Sequence, residues 1–342
     1  MKNKFWINKN VFITGINGFV GGNLAEELVK KGANIFGLIR NIKHNTYLYY
    51  MNINSEIEII KGSIIEKELL KGFFAENKID ICFHLAAQVE VGVAAEYPYL
   101  TWETNVRGTY SLLDVIRESC PNISSIVVAS SDKAYGEYPA EQLPYKEDYP
   151  LKPIYPYDTS KACADLIAQS YSSDLFNLPI VITRFANIYG PGQLNFSALI
   201  PDAIRSALGL STFIPRSNGK SKRDFLYVKD VAHLYCTIAE NLSKDKLHLK
   251  GQIFNAGTNK EKSVREVVEK IYSLVENKID LKQIIKSFDK NPILEGEINE
   301  QLMDYKKVEK YFGWTPKIEF NKGLIKTIEW YKEYLINEKN CI

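Results

Sequence analysis

The chain of 342 residues has little that would cross-link it, bind a metal or hold it in a membrane. Its five cysteines (Cys82, Cys120, Cys163, Cys236 and Cys341) are odd in number, widely spaced and mostly set in apolar patterns. That excludes a disulfide framework, matches no metal-ligand spacing, and leads us to expect a reducing compartment. The four histidines, His44, His84, His233 and His248, are equally scattered and read as structural or surface residues. No apolar run reaches the roughly 18 residues that a membrane span requires. The start, Met1 to Trp6, is basic in flavour, but no apolar signal core follows before Asn8-Lys9-Asn10, so the expected location is the cytoplasm. A formal net charge of +2 without any dense basic run gives no push towards nucleic acid. Internal repeats and low-complexity tracts are also missing.

What is present is an α/β pattern, long enough for one large domain or for two sharing a cleft. Val11-Phe12-Ile13-Thr14 reads as a buried strand, and Gly15-Ile16-Asn17-Gly18-Phe19-Val20-Gly21 follows at once. An amphipathic helix comes next, with Leu24, Ala25, Leu28 and Val29 on one face and Gly32 as its stop. Strand, glycine turn, helix is the context of a dinucleotide-binding loop. Gly15 and Gly18 let the backbone approach a pyrophosphate at the helix N-terminus, and Gly21 lets the helix pack on the sheet. Asn34 to Ile39 is a second strand, followed by Arg40, Asn41 and Lys43 in place of the acid that would hold a ribose hydroxyl. A guanidinium there suits a phosphate and favours NADP, with NAD possible. The other reading of Arg40 is a solvated cation at a strand end.

Further apolar runs at Ile57–Ile60, Ile81–Leu85, Ile126–Ala129 and Ile180–Thr183 alternate with helical patterns at Lys67–Asn77, Tyr99–Ser119 and from Tyr157 onward. That alternation predicts a doubly wound parallel sheet covered on both faces. The Tyr-rich stretch from His44 to Asn54 is expected to be a loop over the cofactor's adenosine end. The texture changes after about Arg184. Asn187 to Gly192 reads as a loop, a helix runs from Leu199 to Leu208, and Arg216 and Gly219 to Asp224 are basic. We therefore expect a dinucleotide domain over residues 1–184, to which later segments return, and a smaller substrate lobe mainly over 185–342. In that lobe Arg223 abuts an apolar run and is the better phosphate ligand, whereas Lys220 and Lys222 read equally well as solvated. Asn277 to Asn291 carries little information, and a last amphipathic helix follows Trp314-Thr315-Pro316.

The chemistry concentrates between Ile126 and Phe176. The fifth apolar run ends in Ser130-Ser131-Asp132-Lys133, and Tyr157-Asp158-Thr159-Ser160-Lys161 opens the next helix. Tyr157 and Lys161 are four apart and share a helix face. None of the other tyrosines has a lysine four residues on. A lysine ammonium beside the phenol is expected to lower its pKa and make Tyr157 an acid/base, with Ser131 bonding the same substrate oxygen. The bland reading is a pair of solvated neighbours.

These motifs, together with Leu85-Ala86-Ala87, Asn105, Asn187-Ile188-Tyr189-Gly190-Pro191 and Arg223-Asp224-Phe225-Leu226-Tyr227-Val228, resemble the extended short-chain dehydrogenases/reductases that act on nucleotide sugars. The resemblance is near full length. It implies a Rossmann fold with a C-terminal sugar-nucleotide lobe, a homodimer, and Ser131, Tyr157 and Lys161 as the catalytic set. It implies cofactor contacts at Gly15, Asn17, Gly18, Phe19, Val20, Gly21, Arg40, Ser63, Ile64, Leu85, Ala86, Ala87 and Asn105. The substrate falls to Gln88, Ser131, Asn187, Arg216 and Arg223. Asp132-Lys133 directly after the catalytic serine resembles the 4,6-dehydratases, above all those acting on CDP-glucose and one UDP-N-acetylglucosamine type, whereas most C4 epimerases carry no such pair. Arg40 and Ser63-Ile64 depart from that NAD-using type. The implied reaction is transient oxidation at C4, elimination of water between C5 and C6 by Lys133 and Asp132, and return of the hydride to C6. The alternatives are a nucleotide-sugar 4-epimerase and, in another class, a binding protein that kept the fold without the chemistry. The nucleobase (CDP, GDP, UDP or dTDP) stays open.

Overall fold

The computed structural model describes residues 4–275, 281–292 and 298–339; Cys341 and the stretch 277–280 lie outside them. Seven strands form the main sheet: β1 (Asn10–Thr14), β2 (Asn34–Ile39), β3 (Ile57–Lys61), β4 (Ile81–His84), β5 (Ser125–Ala129), β6 (Ile180–Phe185) and β9 (Ile253–Ala256). Their order is β3-β2-β1-β4-β5-β6-β9, and every pairing is parallel. The order reverses beside β1, so the crevice at the carboxyl ends of β1 and β4 is where such a sheet receives a ligand. Side chains alternate between two cores. Val11, Ile13, Ile81, Phe83, Val127 and Val181 enter one, while Phe12, Cys82, Ile126, Val128, Ile180 and Ile182 enter the other. This is why the strands read as unbroken apolar runs.

Lys222–Tyr227 is the centre of a small second sheet, and we label it β8. It pairs in parallel with β7 (Asn187–Tyr189) and β11 (Glu300–Gln301), and antiparallel with β10 (Glu261–Ser263). The expected loop at Asn187 is thus a short strand in its first half. It pairs with Phe225–Tyr227, a partner about forty residues away that no local pattern announces. The chain returns to the first body after β8: helix Val228–Lys244 packs on helix Phe19–Lys30, and β9 joins the main sheet beside β6.

Two other local expectations change. Residues 44–54 are not a simple loop, since Tyr47–Tyr50 and Ile53–Glu56 form short helices. Tyr47, Leu48 and Ile53 are buried in the core, and the Tyr47 ring lies against Gly22 and Gly192. The tyrosines are there for packing: the Tyr47 hydroxyl donates to Glu26, whose carboxylate also pairs with Lys229. The long helical pattern from Tyr99 is broken into Pro98–Thr101, a π-helical stretch Trp102–Arg107, and Gly108–Ser119. A π turn places side chains off the regular α-helical faces, and Asn105 is one of them.

Candidate active site

The glycine loop takes the form its spacing predicts. Gly15 has φ +72°, and a Cβ added there would stand 2.8 Å from the Ala86 nitrogen. A Cβ at Gly21 would overlap the Gly15 carbonyl. Gly18 caps helix Phe19–Lys30, whose first turn carries no acid, so its free N–H groups and positive dipole end are left for an anion. These residues fit the pyrophosphate of a dinucleotide. Asn17 reaches from this loop to the Asn41 carbonyl at 3.4 Å, and Arg40 is exposed just before it. Phe19, Val20, Ser63, Leu85, Ala86 and Ala87 are half-buried around the same crevice. Ile64 differs. It is buried in the second core, with its side chain against Gly108.

A continuous hydrogen-bond chain underlies this loop. The Leu85 and Ala86 N–H groups donate to Thr14 Oγ1 at 3.2 and 3.1 Å. Thr14 Oγ1 meets His84 Nδ1, and His84 Nε2 meets Thr109 Oγ1, both at 2.9 Å. Thr109 gives its own proton to the Asn105 carbonyl at 2.6 Å. It must therefore accept from His84, which fixes the neutral Nε2–H tautomer with Nδ1 as acceptor. Burial, and then the charge of Lys161, lower His84 to about 3. Asn105 Nδ2 donates to the Gln88 carbonyl (3.0 Å) and to Ser160 Oγ (2.9 Å), and Ser160 Oγ donates to the Tyr157 carbonyl (2.7 Å).

Two residues expected at the ligand also serve that chain. Asn105 is 1% exposed and its amide bonds Gln88 and Ser160, so it braces the loop. The Gln88 side chain likewise donates to the Glu90 carbonyl and accepts from Thr101, closing its own turn.

Ser131, Asp132, Lys133 and Tyr157 come together at the carboxyl end of β5. Ser131 caps the short helix Asp132–Tyr135: its hydroxyl accepts the Lys133 N–H at 3.2 Å and donates to Asp132 Oδ1 at 2.9 Å. Ser131 also faces the Tyr157 phenol, near the start of helix Pro156–Ser172, and acts to lower it. The phenol is nevertheless pushed above its ordinary value, by burial and then by the charges of Asp132 and Asp158. The expected lowering by Lys161 is not what this arrangement gives. The Lys161 ammonium is buried, donates to the Ala129 carbonyl at 2.6 Å, and is itself lowered to about 8 by burial.

Asp132 is 4% exposed, and burial raises its carboxyl despite the charges of Lys133 and Arg223. Its Oδ2 is buried without a hydrogen-bond partner. Sequence reasoning passed over two residues here. Asp158, beside Tyr157, is buried and raised to about 6 by burial, with Lys133 and Asp132 the charges that act on it. Gln301, on β11, is fully buried, and its Oε1 lies 3.5 Å from Lys133 Nζ. Asp158 was signalled by its place in Tyr157-Asp158-Thr159-Ser160-Lys161. Gln301 carried no local signal.

The cations of the lobe part company. Arg223 is 8% exposed, donates to the Lys222 carbonyl at 2.8 Å, and faces Asp132 and Tyr145. Arg216 is exposed and bonds the Ser197 carbonyl at 3.1 Å. Lys222 is no free cation, since it pairs with Glu261 and Glu300 at 2.6 and 3.0 Å. Asn187, at the start of β7 just past the end of β6, has its Nδ2 buried and unpartnered.

The family model described as GDP-mannose 4,6 dehydratase matches residues 12–327. The dTDP-D-glucose 4,6-dehydratase of Bos taurus is 30% identical over 97% of this chain and 91% of its own. A putative UDP-glucose 4-epimerase of Methanocaldococcus jannaschii is 30% identical over 94% and 98%. The CDP-glucose 4,6-dehydratase of Salmonella typhimurium is 29% identical over 99% and 94%. Among solved structures, the dTDP-glucose 4,6-dehydratase DesIV of Streptomyces venezuelae, which holds NAD, superposes with a TM-score of 0.83 at 25% identity. That alignment covers 95% of this chain and 97% of the other. With a parallel Rossmann sheet, a glycine cradle and a Ser-Tyr-Lys site at its edge, the chain belongs to the nucleotide-sugar dehydratase and epimerase family of extended short-chain dehydrogenases/reductases.

Proposed function

We propose that the protein is a nucleotide-sugar 4,6-dehydratase that converts an NDP-hexose of the CDP-glucose kind to the NDP-4-keto-6-deoxyhexose. The observation that carries this reading is the pair Asp132-Lys133, held beside Ser131 and Tyr157 with the Asp132 carboxyl buried and biased towards its protonated form. A nicotinamide dinucleotide held over the Gly15–Gly21 loop would supply the hydride acceptor for C4 and the hydride donor for C6. The protein's residues move the protons. Tyr157, as the phenolate that the positive ring of an oxidised nicotinamide would favour against burial, takes the proton of the C4 hydroxyl beside Ser131, and the resulting ketone acidifies C5–H. Lys133 Nζ accepts the C5 proton as the C5=C6 bond forms. The C6–O bond breaks, and Asp132 gives the departing hydroxyl the proton that makes it water. The Lys133 ammonium then returns its proton to C5, so no net reductant is consumed.

Incubating the pure protein with CDP-glucose, dTDP-glucose, UDP-glucose and GDP-mannose and weighing the products tests this reading. Loss of one water from one of them is expected. The similarity to the putative epimerase supports a second reading, 4-epimerisation, which leaves the mass unchanged.

Arg40 and the absence of an acid after β2 support NADP over NAD, the form that DesIV holds. Titrating both into cofactor-free protein should give the tighter Kd for NADP, and Arg40→Asp should move the preference towards NAD. Exposed Tyr97, Tyr99, Leu100 and Tyr110, with Leu166 on the Tyr157 helix, support a homodimer through these helices, which light scattering reads directly.

A further inference from the structure

We propose that Gln301 is a positioning residue for the Lys133 amine, its side-chain carbonyl holding Nζ in place for proton transfer at C5. The inference rests on the dehydratase reading and adds to it a residue from the far end of the chain.

Lys133 needs an external guide. It sits on a one-turn helix, Asp132–Tyr135, and its four-carbon stem leaves Nζ free to swing. Gln301 has no such freedom. It is fully buried on β11, a strand of two residues in register with Lys222 and Arg223 of β8. The segment just after it is pinned from the other side. Tyr145 N–H donates to the Leu302 carbonyl at 2.8 Å, and Asp304 N–H donates back to the Tyr145 carbonyl at 3.0 Å. Met303 N–H reaches the buried Asp224 carboxylate at 3.4 Å, the same carboxylate that takes the N–H groups of Thr258 and Asn259. An amide fixed this firmly can aim a flexible amine.

The choice of an amide also suits the step. A carbonyl oxygen accepts an N–H from either the amine or the ammonium and adds no net charge. The charged groups already acting around Lys133 are Asp132 on its own turn and Asp158 on the Tyr157 helix, with Arg223 of β8 facing Asp132. A third carboxylate in place of the amide would hold the proton on Lys133 and leave it unable to take another. At the other end of the same side chain, Gln301 Nε2 is buried with no partner. A buried donor left unmade in this way is expected only where a ligand or water completes it.

Three variants of the full-length protein test the assignment, with the sugar nucleotide that the wild type dehydrates. Wild-type loss of water is measured first; without it the dehydratase reading falls, and this assignment with it. Gln301→Met keeps the volume and removes the carbonyl. It should reduce bound cofactor at close to the wild-type rate, while deuterium uptake at C5 from heavy water and loss of water both slow about 10–100-fold, as for a misplaced catalytic group. Gln301→Glu should move the acid limb of the elimination rate to higher pH by about one unit or more. Gln301→Asn keeps the carbonyl on a shorter arm and should recover part of the exchange that Met loses. Equal slowing of cofactor reduction and C5 exchange in the Met and Glu variants would make Gln301 a general structural residue and overturn the assignment. Unchanged C5 exchange in both would overturn it as well.

Discussion

The two sides of the site differ in how their polar atoms are satisfied. Beneath the glycine loop, each hydrogen bond from Ala86 N–H through Thr14, His84, Thr109, Asn105 and Ser160 to the Tyr157 carbonyl hands on to the next. Across the crevice, Asp132 Oδ2, Asn187 Nδ2 and Gln301 Nε2 are buried without partners. Buried polar groups are nearly always paired, so the chain beneath the loop is finished scaffold, and we take the three unpaired atoms as positions for polar groups of a ligand or water. The contrast separates what the fold needs from what the reaction needs.

Tyr157 belongs to both sides, and removing its hydroxyl should have the largest effect. Tyr157→Phe should lower cofactor reduction and loss of water together by about 10²–10⁴-fold, the usual contribution of a general acid/base. Changes confined to the unpaired side should split the reaction. Asp132→Asn and Lys133→Met should still reduce bound cofactor on addition of the sugar nucleotide, then stall, with loss of water down by roughly 10²-fold. If both variants lose water at the wild-type rate, the dehydratase assignment of this pair is wrong and the epimerase reading takes its place.

Changes to the paired side should act on stability first. His84→Leu leaves Thr14 and Thr109 without their shared partner and should cost about 2–3 kcal/mol in urea unfolding. Wild-type stability after Asp132→Asn would be the contrasting result on the other side; a large loss there would erase the distinction. The smallest effect concerns Asp158. Its carboxyl is raised to about 6 from the ordinary 3.8, so the folded protein keeps a proton that the unfolded chain loses first. Stability from this group is present at the acid end and is lost as pH rises from about 4 to 6. Asp158→Asn has no proton to lose. Its advantage over the wild type in urea-unfolding free energy should open across that window and stay level above it.

The paired side was largely legible in the sequence because its cues are local. Apolar runs gave the six strands from β1 to β6, and three glycines at fixed spacing gave the loop, since period and turn chemistry act within a few residues. Ser131, Asp132, Lys133, Tyr157 and Lys161 could be singled out as candidates because two short motifs hold them all. What stayed hidden depends on distant pairings. β7 exists because β8 lies beside it, the Tyr47 helix because Glu26, Gly22 and Trp330 receive its rings, and Gln301 matters only because β11 lands against β8. The direction of the Tyr157 shift was misread for a related reason. Four residues on a helix bring Lys161 near, but its ammonium is drawn away to Ala129, and only the tertiary structure sets how deeply the phenol is buried.

The tie between Tyr145 and residues 302–304 also bears on how the molecule is made. During synthesis the glycine loop, the Ser131 turn and the Tyr157 helix all leave the ribosome long before β11. Until this segment emerges, the Tyr145 N–H lacks the Leu302 carbonyl, Asp224 lacks the Met303 N–H, and Lys133 lacks Gln301. On the proposed role of Gln301, a nascent chain that already carries Ser131, Lys133 and Tyr157 still lacks the group that aims its amine until β11 is made.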